Sequence, residues 1–470
     1  MAGARVKKLL DQGISLHQAG RISEAEALYR KVLSLSPSDP DAQHMLGVAA
    51  IQRGDFERAI PFLHRARNSY PRMPELHNHL GMAQRGLGKL TEAQGSFRTA
   101  LLINPRFVDA HVNLADVLTQ QGLIGDALSQ IQHALRIDSS HVESYNMQGN
   151  ILHRQRRYAE AVASYQQGLA RNPASGLIWQ NMGNTLREMK DFAAAATAYQ
   201  EAMRRQPKDA RICLLLGATL EKLGQPEAAE AAYREALKRK PGWSEADFFL
   251  SALRSRTGDE QAPATAPQEF VTQLFDAYAS NFDQHLIEKL KYRAPELLSD
   301  ALTPHWPTEP GVVIDLGCGT GLLGPLIRPH ASQLHGVDLS PNMIQAAAQR
   351  RVYDHLELGD MVACLAGRPA QFDAVVATDV LIYVGDLAPL FAKAHAALRP
   401  GGLFAFTVEE NTRDSGYWLQ PSRRYAHAAD YLRKLAAERG FVEQSLSTDV
   451  IRQQSGQAIT GHIVVFRRNP

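Results

Sequence analysis

The residues best suited to chemistry are two acids and a set of glycines in the second half of the 470-residue chain. Residues 312–324 read VVIDLGCGTGLLG, in which Asp315 ends an apolar run. The turn that follows contains Gly317, Gly319 and Gly321. Glycines in such a turn allow close approach of a ligand to the backbone. Asp338 ends the next apolar run, and ligands of open parallel sheets bind beyond the carboxyl ends of the strands, so these residues are predicted to form one site.

Two nucleotide cofactors fit this spacing. The segment GTGLLG (319–324) satisfies the GxGxxG pattern of dinucleotide-binding proteins, and Asp338 lies at a distance compatible with either cofactor. Asp315 discriminates between them, because a carboxylate beside the glycines repels a pyrophosphate and attracts the ammonium and sulfonium of S-adenosylmethionine. Charge therefore favours the methyl donor, and a repeat-bearing dehydrogenase stays as an alternative.

The segment DLGCGTG resembles the glycine-rich motif of class I S-adenosylmethionine-dependent methyltransferases, over residues ~270 to 468. The resemblance implies that Asp338 accepts the ribose hydroxyls, Met343 packs on the adenine and Asp360 contacts the adenine amino group. It also implies a lid helix in LFDAYASNFDQHL (274–286), with Tyr278 and Phe282 over the methyl end. The donor-binding residues expected are Tyr278, Asp315, Gly317, Gly319, Gly321, Asp338, Leu339, Met343, Asp360, Met361 and Asp379.

The resemblance places the fourth strand and its active-site turn at FDAVVATDVLIYVGDL, so that Asp379 and Tyr383 are expected near the transferred methyl. A general base is needed only if the acceptor must lose a proton, and the candidates are Asp379, Tyr383, His427 and His285. Residues 411–432 concentrate aromatic side chains beside Arg423 and Arg424, and paired guanidinium groups suit an anionic acceptor. A protein side chain, a small acid, a carrier-bound thioester and a quinone precursor all stay open as acceptors.

The elements that position these residues alternate short apolar runs with helical patterns after residue 269. This alternation predicts a doubly wound, Rossmann-like α/β domain over 269–470, and the resemblance implies a mostly parallel sheet of seven strands. FVEQSLSTDVI and GHIVVFRR are expected to form a closing antiparallel hairpin. The stretch 259–268 concentrates Pro, Ala and polar residues and is predicted to be a linker.

The first half of the chain repeats with a period of 34 residues. The repeated position is alanine each time, at Ala25, Ala59, Ala93, Ala127, Ala161, Ala195 and Ala229. A small residue stands twelve positions before each alanine, a large apolar residue four after, and a proline or, once, Ser139 twelve after. This pattern resembles the tetratricopeptide repeat family and predicts an α-solenoid of seven repeats plus a capping helix over residues 1–258. The two domains together resemble bacterial repeat-containing methyltransferases.

The resemblance implies that the first helices of the repeats form a groove for a protein or peptide partner. The polar residues expected on that face are His79, Asn113, Asn150, Asn181 and Asn184. Asparagine amides can hydrogen-bond an extended backbone of any sequence. A scaffold whose methyltransferase domain binds S-adenosylmethionine without turnover is the alternative to an enzyme.

Composition narrows the remaining function classes. Residues 1–258 contain 33 basic and 25 acidic side chains, spread along the helices, so no stripe typical of nucleic-acid binding is predicted. No Cys/His cluster has zinc-ligand spacing, and no metal site is expected. Three cysteines without a CxxC pair and the lack of an apolar leader or a 20-residue apolar run predict a cytoplasmic protein without a membrane partner.

Overall fold

The computed structural model describes residues 2–255, 263–278, 283, 286, 290–413, 416–454 and 457–470. The chain divides into two compact units, Met1–Gln225 and Pro226–Pro470. The predicted domain boundary at residue 258 and the first part of the predicted linker lie outside the described residues. The boundary therefore stays a proposal, and each unit is described by itself below.

The first unit consists of helices that pack pairwise along the chain. Its described helices are α1 (Ala2–Gln18), α2 (Ile22–Leu35), α3 (Pro40–Gln52), α4 (Phe56–Ser69), α5 (Pro74–Gly86), α6 (Leu90–Ile103), α7 (Val108–Gln120), α8 (Ile124–Ile137), α9 (Val142–Arg154), α10 (Tyr158–Arg171), α11 (Gly176–Glu188), α12 (Phe192–Arg205) and α13 (Ala210–Lys222). The predicted helical solenoid is confirmed.

The periodic residues explain how each helix pair packs. All seven repeated alanines are fully buried. A Cβ added to Gly47 would lie 2.6 Å from the Leu63 side chain, and one added to Gly149 would lie 2.3 Å from the Tyr165 ring. The large residue of each second helix therefore occupies the space that the missing side chain leaves. Each second helix ends two residues before the periodic proline or Ser139, as α2 does before Pro37.

The second unit begins with two helices of repeat-type sequence and continues into an α/β domain. Its described helices are α14 (Pro226–Arg239), α15 (Ser244–Arg254), α16 (Gln268–Tyr278), α17 (Ala294–Leu302), α18 (Gly324–Ile327), α19 (Pro341–Arg350), α20 (Met361–Ala366), α21 (Ala388–Ala397) and α22 (Ala429–Glu438). Its described strands are β1 (Gly311–Leu316), β2 (Ala331–Asp338), β3 (His355–Leu358), β4 (Phe372–Ala377), β5 (Leu398–Glu410), β6 (Tyr417–Leu419), β7 (Tyr425–His427), β8 (Phe441–Gln454) and β9 (Gln457–Arg468).

The strands form one mostly parallel sheet in the order β3-β2-β1-β4-β5-β7-β6, with β9 pairing antiparallel to β5 and β8 to β9. The sheet has nine strands rather than the seven expected. The additional pair is the short β6–β7 hairpin, whose β7 runs parallel to the end of β5. The parallel order reverses between β1 and β4, so the carboxyl ends of β1, β2 and β4 meet at one edge.

Helices cover both faces of the sheet. Residues of α20, α21 and α22 bury one face around Phe391 and Phe404, and α17 and α18 bury the other around Leu298 and Ile327. Within the described part of the chain, no helix has both the length and the apolar character that crossing a bilayer requires. The sheet core thus holds the strand ends, and the turns after them, at fixed positions.

Candidate functional site

A cleft lies at the carboxyl ends of β1, β2 and β4 in the second unit. One side of it, which we call the glycine end, is formed by Asp315, Gly317, Gly319, Asp338, Leu339 and Met361. The other side, which we call the arginine end, is formed by Thr378, Asp379, Tyr383, Arg424 and Arg452. The ends of different strands therefore supply one site, as predicted from the order of the motifs.

The turn after β1 lines the cleft with glycine backbone as well as with residues that carry side chains. Gly317 and Gly319 have φ of 64° and 54°, a left-handed conformation that side-chain-bearing residues rarely adopt. A Cβ at Gly317 would lie 2.3 Å from Val380 Cγ2, so a larger residue cannot be accommodated without displacement. Gly321, also expected here, does not line the cleft and packs against Tyr353 instead. The turn thus leaves open backbone facing the space between the two acids.

Two carboxyls, one buried and one half-buried, belong to the glycine end. Asp315 is 1% exposed, and burial raises its pKa to about 7, an effect opposed by a hydrogen bond from Tyr353 and increased by Asp338. Burial also raises the pKa of Asp338, although it accepts bonds from the backbone of Gly319 and Ser340 at 2.9 Å each. No ion pair to either acid occurs among the described residues. Acids held in this way favour a bound cation and disfavour a phosphate.

Apolar side chains complete the glycine end. Leu339 and Met361 line the cleft, as does the backbone of Gly359. Met343, expected on the adenine, is fully buried within the domain and does not line the cleft, because α19 turns its side chain into the core. This wall can pack against a flat, uncharged ring.

Asp360 is occupied as the cap of a helix. Its Oδ1 accepts from the backbone of Val362 and Ala363 at 3.0 and 2.9 Å, and its Oδ2 accepts from Gln268 at 3.0 Å. A side-chain oxygen on the second and third amides is the usual helix N-cap. Its neighbours Gly359 and Met361 line the cleft, whereas Asp360 itself does not.

A buried ion-pair network underlies the arginine end. Arg452 is 1% exposed and donates to Asp379 Oδ1 at 2.5 Å and to Glu409. Asp379 has a φ of 53°, and its backbone amide donates to Thr407 at 2.8 Å. Arg424 donates to Gln454 at 2.6 Å and lies 3.7 Å from Glu409. The network holds the Asp379 carboxylate in place, and it stabilises the uncommon backbone conformation of this residue.

Tyr383 and its neighbours form the rest of the arginine end. Tyr383 lies in a 3-10 turn, Leu381–Tyr383, and burial raises the pKa of its hydroxyl, while the adjacent Arg424 guanidinium opposes the rise. Phe275 of α16 stacks edge-on against the Tyr383 ring at 5.5 Å. The hydroxyl of Thr378 is buried and has no partner among the described residues. Phe282 and His285 lie outside the described residues, and so does the side chain of Tyr278.

His427 does not face the cleft, in contrast to its prediction as a general base. It is fully buried on β7, and its Nε2 bonds to the carbonyl of Gly385 at 3.1 Å. Burial lowers the pKa of His427 to about 4, so the ring is neutral. His427 is therefore not carried forward as a general base, because it is buried on β7, which pairs with β5 and β6, and does not line the cleft.

The β6–β7 hairpin is held against helices α14 and α15 of the same unit. Arg423, which has a φ of 65°, stacks on Phe249 at 3.7 Å and donates to the Tyr233 hydroxyl at 3.2 Å. Phe248 lies 6.2 Å from the ring of Tyr425. Of the two predicted arginines, Arg423 thus anchors the hairpin and Arg424 lines the cleft. The second helix of the last repeat and the capping helix therefore support one wall of the site.

The last part of the predicted linker is hydrogen-bonded to the turn that carries Tyr383. Ala266 donates to the carbonyl of Tyr383, and Gly385 and Asp386 donate to the carbonyl of Ala264, each at 2.9 Å. The Tyr425 hydroxyl donates to the carbonyl of Pro263 at 2.7 Å. Residues 263–266 therefore form part of the rim of the cleft rather than a free tether.

The polar residues expected in the repeat groove are engaged within the array. Asn113 and Asn181 donate to the asparagines of the preceding repeat, Asn78 and Asn146, at 3.0 and 2.9 Å. The side-chain oxygens of Asn150 and Asn184 accept from tyrosine hydroxyls at 2.8 and 2.7 Å, and His79 bonds to His44 at 2.8 Å. These side chains connect neighbouring helices, so a ligand of that face must bind amide groups that are already hydrogen-bonded.

Sequence reasoning missed Tyr353, Arg452 and Thr378. Tyr353 donates to Asp315 across the first two strands, and Arg452 reaches Asp379 from β8, 73 residues away in the chain. Neither Tyr353 nor Arg452 belongs to a local sequence motif. That an arginine in a β-strand is buried and paired can be recognised only when the acid that it contacts is known.

Comparisons with known proteins agree with this architecture. Residues 314–404 match a family model described as "Methyltransferase domain". Family models described as "Tetratricopeptide repeat" match residues 16–81, 79–142, 142–175 and 181–242. The matched methyltransferase segment begins one residue before Asp315 and contains the glycine turn.

Among similar proteins, methyltransferase-like protein 27 of Homo sapiens is 33% identical over 151 residues, which is 30% of this chain and 59% of that protein. The malonyl-[acyl-carrier protein] O-methyltransferase of Salmonella typhimurium is 28% identical over 31% of this chain and 55% of its own length. The chain thus spans a little over half of these curated relatives. A solved Burkholderia thailandensis 1,6-didemethyltoxoflavin-N1-methyltransferase, with bound S-adenosylhomocysteine, is 21% identical over 45% of this chain and 94% of that one, with a TM-score of 0.36.

Proposed function

This chain carries tetratricopeptide repeats followed by a methyltransferase domain, and on that premise we propose that it binds S-adenosylmethionine and transfers the methyl group to an anionic acceptor. The observation that carries the proposal is a pair of carboxyls, the buried Asp315 and the half-buried Asp338, that line one cleft with the glycines of the turn after β1. A dinucleotide would bring its pyrophosphate to these acids, whereas a sulfonium nucleoside brings positive charge.

The residues at the glycine end fit such a donor. Asp338 is the expected acceptor for the ribose hydroxyls, because a carboxylate offers two oxygens and each still has a second lone pair beyond its backbone bond. Leu339 and Met361 offer an apolar wall for the base. When bound, the donor supplies a methyl group on an already activated sulfonium leaving group. The cleft supplies orientation and exclusion of water.

The arginine end is proposed to hold the acceptor. Arg424 presents a guanidinium beside the Tyr383 hydroxyl, and Thr378 adds a buried hydroxyl without a partner among the described residues. These are hydrogen-bond donors, and they suit a carboxylate or another oxyanion. The name of the Salmonella relative, a malonyl-carrier O-methyltransferase, is consistent with an acid or a carrier-bound acceptor.

Two side chains at the arginine end are proposed to act on the reacting groups. Asp379 lines the cleft and is held by Arg452, so its carboxylate can orient the donor or receive a proton from the acceptor. Tyr383 contributes a hydroxyl at the same wall. An acceptor that is already ionised needs no general base, and then both residues serve only to align it.

The repeat array is proposed to bind a partner protein. Its helices carry the packing pattern of the family, and the polar residues of the first helices form hydrogen-bonded pairs between repeats. Such a partner would either contain the acceptor or deliver it. The basic excess of the first 258 residues favours an acidic partner surface.

The proposal is tested by incubating the protein with cell lysate and donor labelled in its methyl group, followed by mass spectrometry of the protein and metabolite fractions. We expect label in one class of acceptor with the native chain and none with Asp338→Ala. Donor that binds without any labelled product would refute transfer and leave the scaffold interpretation. Label distributed equally with both proteins would show that the lysate, not this chain, transfers the methyl group.

A further inference from the structure

Tyr353 forms a hydrogen bond with Asp315, one of the two acids of the glycine end. It lies in the turn between α19 and β3, and its hydroxyl donates to Asp315 Oδ2 at 2.7 Å. A Cβ added to Gly321 or Gly324 would lie 2.9 or 3.0 Å from the Tyr353 ring or hydroxyl. The ring therefore fits against backbone that has no side chains, and the hydroxyl is held toward Asp315.

Few groups other than Tyr353 stabilise a charge on Asp315. Asp338 faces it from β2, Cys318 from the glycine turn and Tyr292 from the segment before α17, and none of these is a cation. Arg350 of α19 lies near Tyr353 but donates to the carbonyl of Thr320 and pairs with Asp283. In the described ranges no group donates to the second oxygen of Asp315, and Asp315 is one of the residues that line the cleft. That oxygen is available to a cationic ligand.

We propose that Tyr353 is a positioning residue for donor binding: its hydroxyl favours the ionised form of Asp315 and orients the second carboxylate oxygen toward the cleft, and donor binding removes the proton from those molecules in which Asp315 is still neutral. The inference rests on the proposed function, because it requires a cationic donor at the glycine end. It assigns to a residue outside the glycine motif a part in setting the affinity for that donor.

The sign of the effect follows from which form of Asp315 binds a cation. Burial raises the pKa of Asp315 to about 7, so near neutral pH a part of the donor-free protein carries the neutral acid. A cation binds the ionised form better and shifts the acid toward it, which releases a proton. At pH values below the pKa of Asp315, the affinity for the donor falls by up to about tenfold for each pH unit.

Removing the Tyr353 hydroxyl raises the pH range over which Asp315 ionises. Tyr353→Phe keeps the ring against Gly321 and Gly324 but removes the bond that favours the ionised acid. A hydrogen bond to a charged acceptor is worth about one pH unit or more in the midpoint. We expect donor binding near pH 7 to weaken about fivefold, and to recover toward the native value as the pH rises.

The test is isothermal titration of S-adenosylmethionine into the full chain from pH 5.5 to 8.5, in buffers of different ionisation enthalpy, so that the released protons are counted. The ammonium of the donor titrates equally with every variant, and the comparison between variants removes its contribution. Tyr199→Phe is the matched control, since it also removes one buried tyrosine hydroxyl bond, of 2.7 Å to Asn184, and Tyr199 belongs to the first unit.

We expect proton release and a pH-dependent affinity with the native chain and with Tyr199→Phe, a midpoint about one unit higher with Tyr353→Phe, and weak binding without this pH dependence with Asp315→Asn. A Tyr353→Phe profile that superimposes on the native one, or that is lower by the same factor at every pH, would overturn the inference. A native chain that binds no donor at any pH would instead contradict the proposed function, so the two failures are distinguishable.

Discussion

Replacing Arg452 by methionine tests the ion-pair network beneath the arginine end. Arg452 is 1% exposed and pairs with Asp379 and with Glu409, which is 3% exposed. Arg452→Met keeps an unbranched side chain but removes the cation that Asp379 and Glu409 share, and among the described residues it leaves Glu409 with only one cation, the Arg424 guanidinium 3.7 Å away. Breaking a buried pair in this way costs about 3–5 kcal/mol of unfolding free energy. For a unit of this size, that lowers the melting temperature by roughly 6–20 °C.

Differential scanning calorimetry of the full chain measures the effect, and the transition of the second unit is the one that S-adenosylmethionine shifts upward. Arg433→Met is the matched control, because Arg433 belongs to the same unit and pairs with Glu443 at 2.9 Å with 48% of its side chain exposed. An exposed pair contributes less than about 1 kcal/mol. Equal shifts for the two variants would refute the importance given to the buried network.

The remaining predictions concern the donor site, the hairpin and pH. Asp338→Ala is expected to weaken S-adenosylmethionine binding at least about tenfold by titration, because the ribose loses its acceptor; unchanged affinity would remove Asp338 from the site. Phe249→Ala is expected to cost about 3 kcal/mol and to speed amide exchange in residues 417–427, measured by mass spectrometry, whereas Phe97→Ala in the first unit leaves that exchange unchanged. The raised pKa of Asp315 means that the folded donor-free protein holds a proton that the unfolded chain loses, so the stability of the second unit is expected to fall as pH rises from about 4 to about 7. The fall is expected to be smaller in Asp315→Asn, and identical profiles of melting temperature against pH would contradict it.

The fold was predictable where the information is local and repeated. In the repeat array a small residue in the first helix faces a large one in the second, as Gly47 faces Leu63, and this pairing recurs every 34 residues. The positions of Asp315 and Asp338 were predictable for a related reason. Both end apolar strands, and parallel strands bring their carboxyl ends to the same edge.

The parts that failed or were missed depend on packing between distant segments. His427 stands among aromatic and basic residues in the sequence, yet its strand pairs in a register that buries the ring. Met343 stands where the family resemblance predicts a cofactor contact, yet α19 directs it into the core. Arg452 and Tyr353 act on acids of other strands, and no pattern along their own segments indicates a partner.

The central claim is that Asp315 and Asp338 select a cationic nucleoside over a diphosphate. Its most direct test is to titrate S-adenosylmethionine and NAD separately into the native chain at pH 8, where Asp315 is ionised. The account predicts one molecule of S-adenosylmethionine bound per chain and no heat from NAD. Binding of NAD with no binding of S-adenosylmethionine would contradict it.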